Sequence, residues 1–306
     1  MVNSSRLVVR SARVVVNVIR GSLIGIAEII PGVSGGTIAL IVGVYTTVIH
    51  AASSVISGLV GLVRGRGWSQ ALATWRDARW GVVVPVLIGM LGGIVLGAAL
   101  LEPVITSNPV ETRAVFAGLI LASLWVPIRM VGGAWRSRYV VVALVAAGAS
   151  MVLTGLPVFG TDNPSLLLVA PAAAIAVCAL VLPGVSGSFI LVVLGMYEPT
   201  LAAVNDRDTA YLGVFILGAA VGLGLFVGVL EWLLTHRKTI TLVVMTGLML
   251  GSLRALWPWQ GEQRELLAPV GDAVGVGLWV LAGAVTVVIV LGVERILQAR
   301  IPSDAS

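Results

Sequence analysis

Apolar residues occur along this chain in stretches that are too long for the core of a soluble domain. Six of them are long enough to cross the roughly 30 Å hydrocarbon layer of a bilayer as helices. They are residues 81–101, 113–131, 139–157, 212–233, 240–257 and 275–296. Two further apolar stretches, residues 22–50 and 165–204, are broken near their middles by Pro and Gly. The pattern predicts an all-α polytopic membrane protein with two interrupted segments.

The two interruptions have nearly the same sequence. Residues 31–45 and 183–197 are identical at eight of fifteen positions, at an offset of 152 residues. A second match, at an offset of 129 residues, continues without a gap from about residue 86 to residue 124. The change of offset indicates an insertion in the first copy at about residues 46–80. The chain is therefore expected to be one duplicated unit.

We expect a single membrane domain in which the first repeat covers residues 22–157 and the second covers residues 158–300. Each repeat is predicted to be a re-entrant helical hairpin followed by three transmembrane helices. An odd number of crossings per repeat would place the second copy upside down relative to the first. Residues 1–21 carry Arg at near-helical spacing among Val, Leu and Ile, which predicts a basic amphipathic helix at the membrane surface.

The charged residues agree with inverted copies. The chain is 58% hydrophobic and 11% charged, with a formal net charge of +5. If the N-terminus is cytoplasmic, most basic loops fall on the cytoplasmic side and most acidic residues on the other side, as topology rules require. Both termini are then predicted to be cytoplasmic. The spread of basic residues among short loops argues against a nucleic-acid partner.

The repeated Pro-Gly-Val-Ser-Gly block is the motif with the clearest chemical meaning. Non-helical backbone at membrane depth is tolerated only where it is buried in protein or lines a cavity. New half-helices are expected to run from each block to Tyr45 and to Tyr197, with Ser34 and Ser186 as N-caps. Free N–H groups and the positive end of each helix dipole would then favour an anion such as phosphate or carboxylate.

The predicted anion-binding residues lie at both breaks. They are Ser34, Gly35, Gly36 and Thr37 in the first copy, and Ser186, Gly187 and Ser188 in the second. Glycine permits close approach of the backbone to a ligand, and hydroxyl groups donate hydrogen bonds without a permanent charge. The alternative is that Pro and Gly only kink or pack membrane helices, but kinking alone does not require Ser, Gly and Tyr at fixed spacing.

Three charged residues near these segments are further candidates. Glu28 lies three residues before Pro31 in an apolar run, and the matching residue of the second copy is Leu180. An intramembrane carboxyl suggests proton coupling, with capping of a local backbone group as the alternative. Arg129 and Arg254 are candidate phosphate contacts, and ordinary topology charges are the alternative for both.

No cofactor or metal site is predicted. The chain has one cysteine, Cys178, and its two histidines, His50 and His236, have no metal-ligand spacing beside them. An enzyme acting on lipid phosphates would need a nucleophile with its base, a metal cluster or paired carboxylates. The sequence therefore favours a transporter over an enzyme.

Four segments carry a resemblance to a known family: 25-GIAEIIPGVSGGTIALIVGVY-45, 182-LPGVSGSFILVVLGMY-197, 116-FAGLILASL-124 and 247-GLMLGSLRALWPW-259. They resemble bacterial membrane proteins long catalogued as a domain of unknown function and now associated with undecaprenyl phosphate transport, the PopT-like family. The resemblance covers nearly the whole chain.

The resemblance implies a polyprenyl-phosphate translocase that returns the lipid carrier across the bacterial plasma membrane for reuse in cell-wall synthesis. It implies that the two Pro-Gly-Val-Ser-Gly blocks hold the head-group phosphate, and that the acidic residue at position 28 is functional. The partners would be the polyprenyl phosphate, membrane lipids and, as the candidate coupling ion, protons. A secondary transporter or channel for a small anion would use the same helix-end chemistry and is the alternative.

Overall fold

The computed structural model describes residues 2–28, 34–156, 164–261 and 265–300. Within these ranges the chain forms α-helices and two short 3-10 helices, and no β-strand. The α-helices, numbered in chain order, are α1 (Val2–Glu28), α2 (Gly35–Ile41), α3 (Tyr45–Val63), α4 (Trp68–Arg76), α5 (Trp80–Ser107), α6 (Pro109–Ser123), α7 (Trp125–Val131), α8 (Ser137–Leu153), α9 (Leu166–Val181), α10 (Gly187–Val193), α11 (Tyr197–Asn205), α12 (Thr209–His236), α13 (Lys238–Ser252) and α14 (Ala273–Arg300). The 3-10 helices are Gly132–Ala134 and Leu253–Leu256.

The helices confirm the predicted all-α polytopic membrane protein. Six apolar segments in the described ranges are long enough to cross a membrane, and five of them coincide with predicted spans. The sixth predicted span, residues 139–157, corresponds to α8, which has 17 residues and ends at Leu153. Conversely, α3 was not counted as a span from the sequence, but its 19 residues are long and apolar enough to be one.

Helix boundaries follow the two sequence offsets. Both bounds of α2 recur in α10 after 152 residues, and both bounds of α5 and of α6 recur in α12 and in α13 after 129 residues. Matching boundaries in matching sequences are expected of a duplicated unit, because apolar length and turn residues set where a membrane helix begins and ends.

Glycines allow α5 and α12 to pack closely on the first arms of the hairpins. Side chains at Gly89 and Gly93 would overlap the backbone of α1 near Val18 and Ser22. The equivalent Gly218 and Gly222 meet α9 at Ala170 and Ala174 in the same way. In both pairs the residue numbers rise together, so each hairpin's first arm runs parallel to the long helix that follows the hairpin. Between the first arm of each hairpin and the following long helix, the chain therefore returns to the side of the membrane from which that first arm began.

The later helices connect the two halves. Gly247 and Gly251 of α13 pack against α8 at Ala143 and Ala147, again with rising numbers, so α8 and α13 run parallel. Gly118 of α6 packs against α14 in the other half. The last helix of each predicted repeat thus packs on the middle helix of the other repeat. Small residues at such interfaces let the backbones approach in the absence of a hydrophobic driving force.

The N-terminal segment differs from its predicted boundary. A surface helix was expected to end at residue 21, before the first hairpin, but α1 is a single helix that continues to Glu28. Asn17, Gly21 and Ile24 are already buried in the protein, and Asn17 accepts a hydrogen bond from Arg20. Packing against α5 from residue 18 onwards favours one continuous helix, because it buries the face that a separate surface helix would expose.

The half-helices after the breaks are shorter than predicted. They were expected to reach Tyr45 and Tyr197, but α2 ends at Ile41 and α10 ends at Val193. Gly43 and Gly195 have φ angles of 72° and 68°, and this left-handed conformation ends each helix. A second helix then begins at each tyrosine, and α11 is bent by 109° from α10.

The insertion in the first copy covers most of α3 and all of α4. Trp75 on α4 donates a hydrogen bond from its indole nitrogen to the carbonyl of Val55 on α3, so the two helices pack as a unit. Near the start of α3, the side chain of His50 contacts the carboxylate of Glu231 on α12. The insertion therefore rests against a helix of the second half.

Candidate functional site

The two breaks contact each other directly. The Ser34 hydroxyl donates to the carbonyl of Leu182 at 3.0 Å, and the Tyr45 hydroxyl donates to the carbonyl of Val181 at 3.0 Å. In return, the backbone N–H of Gly184 donates to the Thr37 hydroxyl at 3.0 Å. Polar side chains of the first copy thus satisfy irregular backbone of the second copy, as burial in an apolar medium requires.

Two glycines make this contact possible. A Cβ atom on Gly36 would lie 2.9 Å from the Val181 carbonyl, closer than ordinary packing allows. Gly184 has a φ angle of 83°, and a Cβ there would overlap the backbone at Met249 on α13. The glycines of the repeated block are therefore needed for the approach of one backbone to another, in addition to any approach to a ligand.

At the first break, a carboxylate of the protein itself occupies the start of α2. Glu28 accepts a hydrogen bond from the backbone N–H of Gly35, and a side chain on Gly35 would overlap this carboxylate. Ser34 stands at the N-cap position as predicted, but its side chain makes no capping bond because it donates to Leu182 instead. Glu28 and Ser34 thus direct polar atoms to other groups of the protein at the start of α2. Pro31 and its neighbours at positions 29–33 lie outside the described residues.

The second break has a different environment. Ser186 caps α10 as predicted, because its hydroxyl accepts a hydrogen bond from the N–H of Phe189. The same hydroxyl lies 2.9 Å from that of Ser188. Leu180 stands at the position equivalent to Glu28, beside Gly187, so no carboxylate reaches the start of α10 from that position.

A small cleft opens beside the second break. Its walls come from α8, α10, the break itself and the end of α13, and they include the hydroxyls of Ser150, Thr154, Ser186 and Ser252. The remaining lining residues are Leu153, Gly184, Val185, Phe189 and Ala255. Three of these hydroxyls already donate to backbone carbonyls: Ser150 to Leu248, Thr154 to Ser150 and Ser252 to Met249. Each has a single O–H, so it would donate to a ligand only by exchanging that bond.

Arg254 lies at the edge of this cleft. Its guanidinium donates to the carbonyl of Thr154 at 2.8 Å and packs beside Gly155. A guanidinium has five N–H donors, so the bond to Thr154 leaves most of them available. Arg254 is thus hydrogen-bonded to Thr154, which lines the cleft together with residues of the second break.

Other predicted site residues do not converge on the cleft. Ser34, Gly36 and Thr37 face the second break's backbone, and Gly35 faces Glu28. Arg129 is exposed on α7 and is not among the described residues that line the cleft. Sequence reasoning missed Ser150 and Thr154, which come from the first repeat. Ser252 could have been proposed from the sequence, because it matches Ser123 in the repeated segment.

The cleft has the chemistry of an anion site. Hydroxyl groups and a guanidinium together hold phosphate oxygens well, because the guanidinium supplies charge and a planar pair of donors while hydroxyl groups adapt their direction. Within the described part of the chain, no group of three or more His, Cys, Asp and Glu side chains is arranged for a metal ion.

Comparison with known proteins identifies relatives over most of the chain. A family model described as undecaprenyl phosphate translocase-like matches residues 24–274. A polyprenyl-phosphate transporter of Vibrio cholerae serotype O1 is 34% identical over 261 residues, which is 81% of this chain and 82% of that protein. A polyprenyl-phosphate transporter of Staphylococcus aureus is 28% identical over 262 residues, 79% of this chain and 86% of the relative. No solved structure gives a significant match.

Proposed function

The chain belongs to the undecaprenyl phosphate translocase-like family, and we propose that it is a polyprenyl-phosphate translocase of the bacterial plasma membrane. It returns the lipid carrier from the outer to the inner leaflet for reuse in cell-envelope synthesis. Two relatives that align with about four-fifths of the chain bear the name polyprenyl-phosphate transporter, which supports this substrate.

The head-group phosphate binds in the cleft beside the second break. The observation that carries this proposal is the hydrogen bond from Arg254 to the carbonyl of Thr154, a residue that lines the cleft together with Ser186 and Ser252. Ser188 and the N–H group of Gly187 lie next to Ser186 and complete the donor set at the start of α10. The prenyl tail remains among the lipids beside the apolar helices.

The two halves work as inverted repeats in alternating access. Consecutive helices joined by tight turns reverse direction, so α5, α8 and α13 share a direction, given the parallel packing of α8 and α13. By the same reasoning α12, the equivalent of α5, runs in the opposite direction. This supports an inverted second copy, the arrangement that moves a central site from one face of the membrane to the other. With the basic loops inside, both termini are cytoplasmic.

Glu28 couples transport to protons. It occupies the first break, where its carboxylate accepts a hydrogen bond from Gly35. A carboxyl within the membrane is costly in its charged form and is usually retained for a function. In this position Glu28 holds the first break in the described arrangement, and its protonation would weaken that contact. The second break, with Leu180 at the equivalent position, has no such group.

The test is binding by the purified full-length protein in lipid nanodiscs. We would compare a short-chain polyprenyl phosphate with the matching polyprenol and with inorganic phosphate. Arg254→Gln and Ser186→Ala are expected to weaken binding of the phosphate lipid, by about tenfold or more for Arg254→Gln, because a charge-assisted contact is lost. Ser123→Ala is the matched control, because Ser123 is the buried repeat equivalent of Ser252 and lies in the other half.

Each result separates the candidate functions. The translocase is supported if the wild type prefers polyprenyl phosphate over both other ligands, and if Arg254→Gln and Ser186→Ala reduce this preference while Ser123→Ala does not. Binding of inorganic phosphate with no preference for the lipid would instead favour a transporter or channel for a small anion. Unchanged affinity in both Arg254→Gln and Ser186→Ala would show that the phosphate binds elsewhere.

A further inference from the structure

A second arginine lies close to the segment that carries Arg254. Arg113 on α6 donates a hydrogen bond from its guanidinium to the carbonyl of Pro258 at 3.3 Å. Pro258 follows the 3-10 helix Leu253–Leu256, which contains Arg254. Arg113 comes from the first repeat and Arg254 from the second, so this contact cannot be recognised from the spacing of residues in the sequence.

The segment between the two arginines is held in a fixed shape. The side-chain amide of Gln260 donates to the carbonyls of Arg254, Ala255 and Trp257 at 3.0 to 3.1 Å. These bonds fold residues 254–260 into one compact turn, which carries Arg254, the Pro258 carbonyl that Arg113 contacts, and Ala255 of the cleft wall.

Neither cation has a carboxylate partner among the described residues. Within the described part of the chain, neither guanidinium pairs with a carboxylate, and the hydrogen bond that each makes goes to a backbone carbonyl. Both side chains are half-buried. Half-buried positive charges without a carboxylate partner are unfavourable in the protein alone, and an anion would offset that cost.

The equivalent positions of the other repeat do not carry these charges. The residue equivalent to Arg113 is Leu242, which is fully buried, and the residue equivalent to Arg254 is Trp125. Neither cation has a basic counterpart beside the first break.

We propose that Arg113 is a further phosphate-binding residue, which acts with Arg254 at the 254–260 turn to collect the phosphomonoester head group at the mouth of the cleft. The inference rests on the proposed function for the source of the phosphate. The guanidinium of Arg113 keeps one donor on Pro258 and offers the others to phosphate oxygens, for which its planar geometry is suited.

The test separates charge from structural support. Arg113→Gln keeps an N–H donor for the Pro258 carbonyl but removes the charge, Arg113→Met removes both, and Arg113→Lys keeps the charge. Binding of a short-chain polyprenyl phosphate, the matching polyprenol and inorganic phosphate would be measured for each variant in nanodiscs, together with thermal unfolding. Arg207→Gln is the control, because Arg207 is an exposed arginine in the turn before α12 and does not line the cleft.

We expect Arg113→Gln and Arg113→Met to weaken binding of both phosphate ligands by about tenfold. Arg113→Lys should weaken it by about twofold to threefold. Polyprenol binding should be unchanged in every variant, and Arg207→Gln should bind all three ligands as the wild type does. Wild-type affinity in Arg113→Gln, with or without a loss in Arg113→Met, would overturn the inference and leave Arg113 a structural tie. If the wild type does not prefer polyprenyl phosphate over inorganic phosphate, the proposed lipid substrate fails. A loss of phosphate binding in Arg113→Gln would still support the role of Arg113 in that case.

Discussion

The two breaks share eight of fifteen residues but stand in opposite surroundings. The first break is closed, because its hydroxyls bond to the second break and Glu28 occupies the start of α2. The second break borders an open cleft, with Leu180 in place of Glu28 and with Arg254 at the edge. A negative group lies beside one copy and positive groups lie beside the other.

This difference shows that the repeated block supplies a framework and that its neighbours decide the function. The shared residues permit sharp turns and close backbone approach in both copies. The residues that distinguish a closed break from an open one lie outside the block, at positions where the duplicated halves have diverged. Duplication thus preserved the geometry of the break while substitution changed its charge.

The largest effect is expected from filling the close approach between the second break and α13. Gly184→Ala introduces a side chain at a φ angle of 83° and into the backbone of α13 near Met249. Strain and overlap together should lower the free energy of unfolding by roughly 3 kcal/mol or more. Thermal unfolding in detergent would measure this as a fall in Tm.

Gly228→Ala is the matched control for that variant. Gly228 lies within α12, and no atom of the protein is within 4 Å of a Cβ placed there. Alanine is the better helix former, so this change should leave Tm unchanged or raise it slightly. Equal stability of the Gly184→Ala and Gly228→Ala proteins would contradict the close packing of the second break on α13.

A smaller effect is expected from giving the second break the carboxyl of the first. Leu180 lies beside the first residue of α10, so Leu180→Glu brings a negative charge next to the proposed phosphate position. Repulsion should weaken polyprenyl-phosphate binding by about tenfold. Leu180→Gln, which has nearly the same shape without the charge, is the control, and equal losses in both would attribute the effect to packing.

The smallest effect on binding is expected from neutralising the first break. Glu28→Gln keeps a carbonyl oxygen for the N–H of Gly35 and removes the charge, so phosphate-lipid affinity should stay within about twofold of the wild type. Transport into proteoliposomes should no longer respond to a pH gradient. A response that persists in Glu28→Gln would exclude Glu28 as the coupling group.

The sequence by itself determined the fold class, the duplication and the position of the breaks. Membrane spans are visible in sequence because about 20 consecutive apolar residues are needed to cross the hydrocarbon layer. The helix bounds of α5 and α12 follow their offset for the same reason, since they depend on local composition. The extents of α1, α2 and α10 were wrong, because packing and the glycines at positions 43 and 195 decide where those helices end.

Only the tertiary structure decided which break is open and which residues surround it. Thr154 meets Arg254 across 100 residues of chain, and Thr37 meets Gly184 across 147. Such contacts depend on how α8 packs on α13 and how the two breaks meet, and no local pattern encodes them. The sequence therefore shows a motif that suits an anion twice, while the packing of helices from both halves forms a small cleft beside one copy.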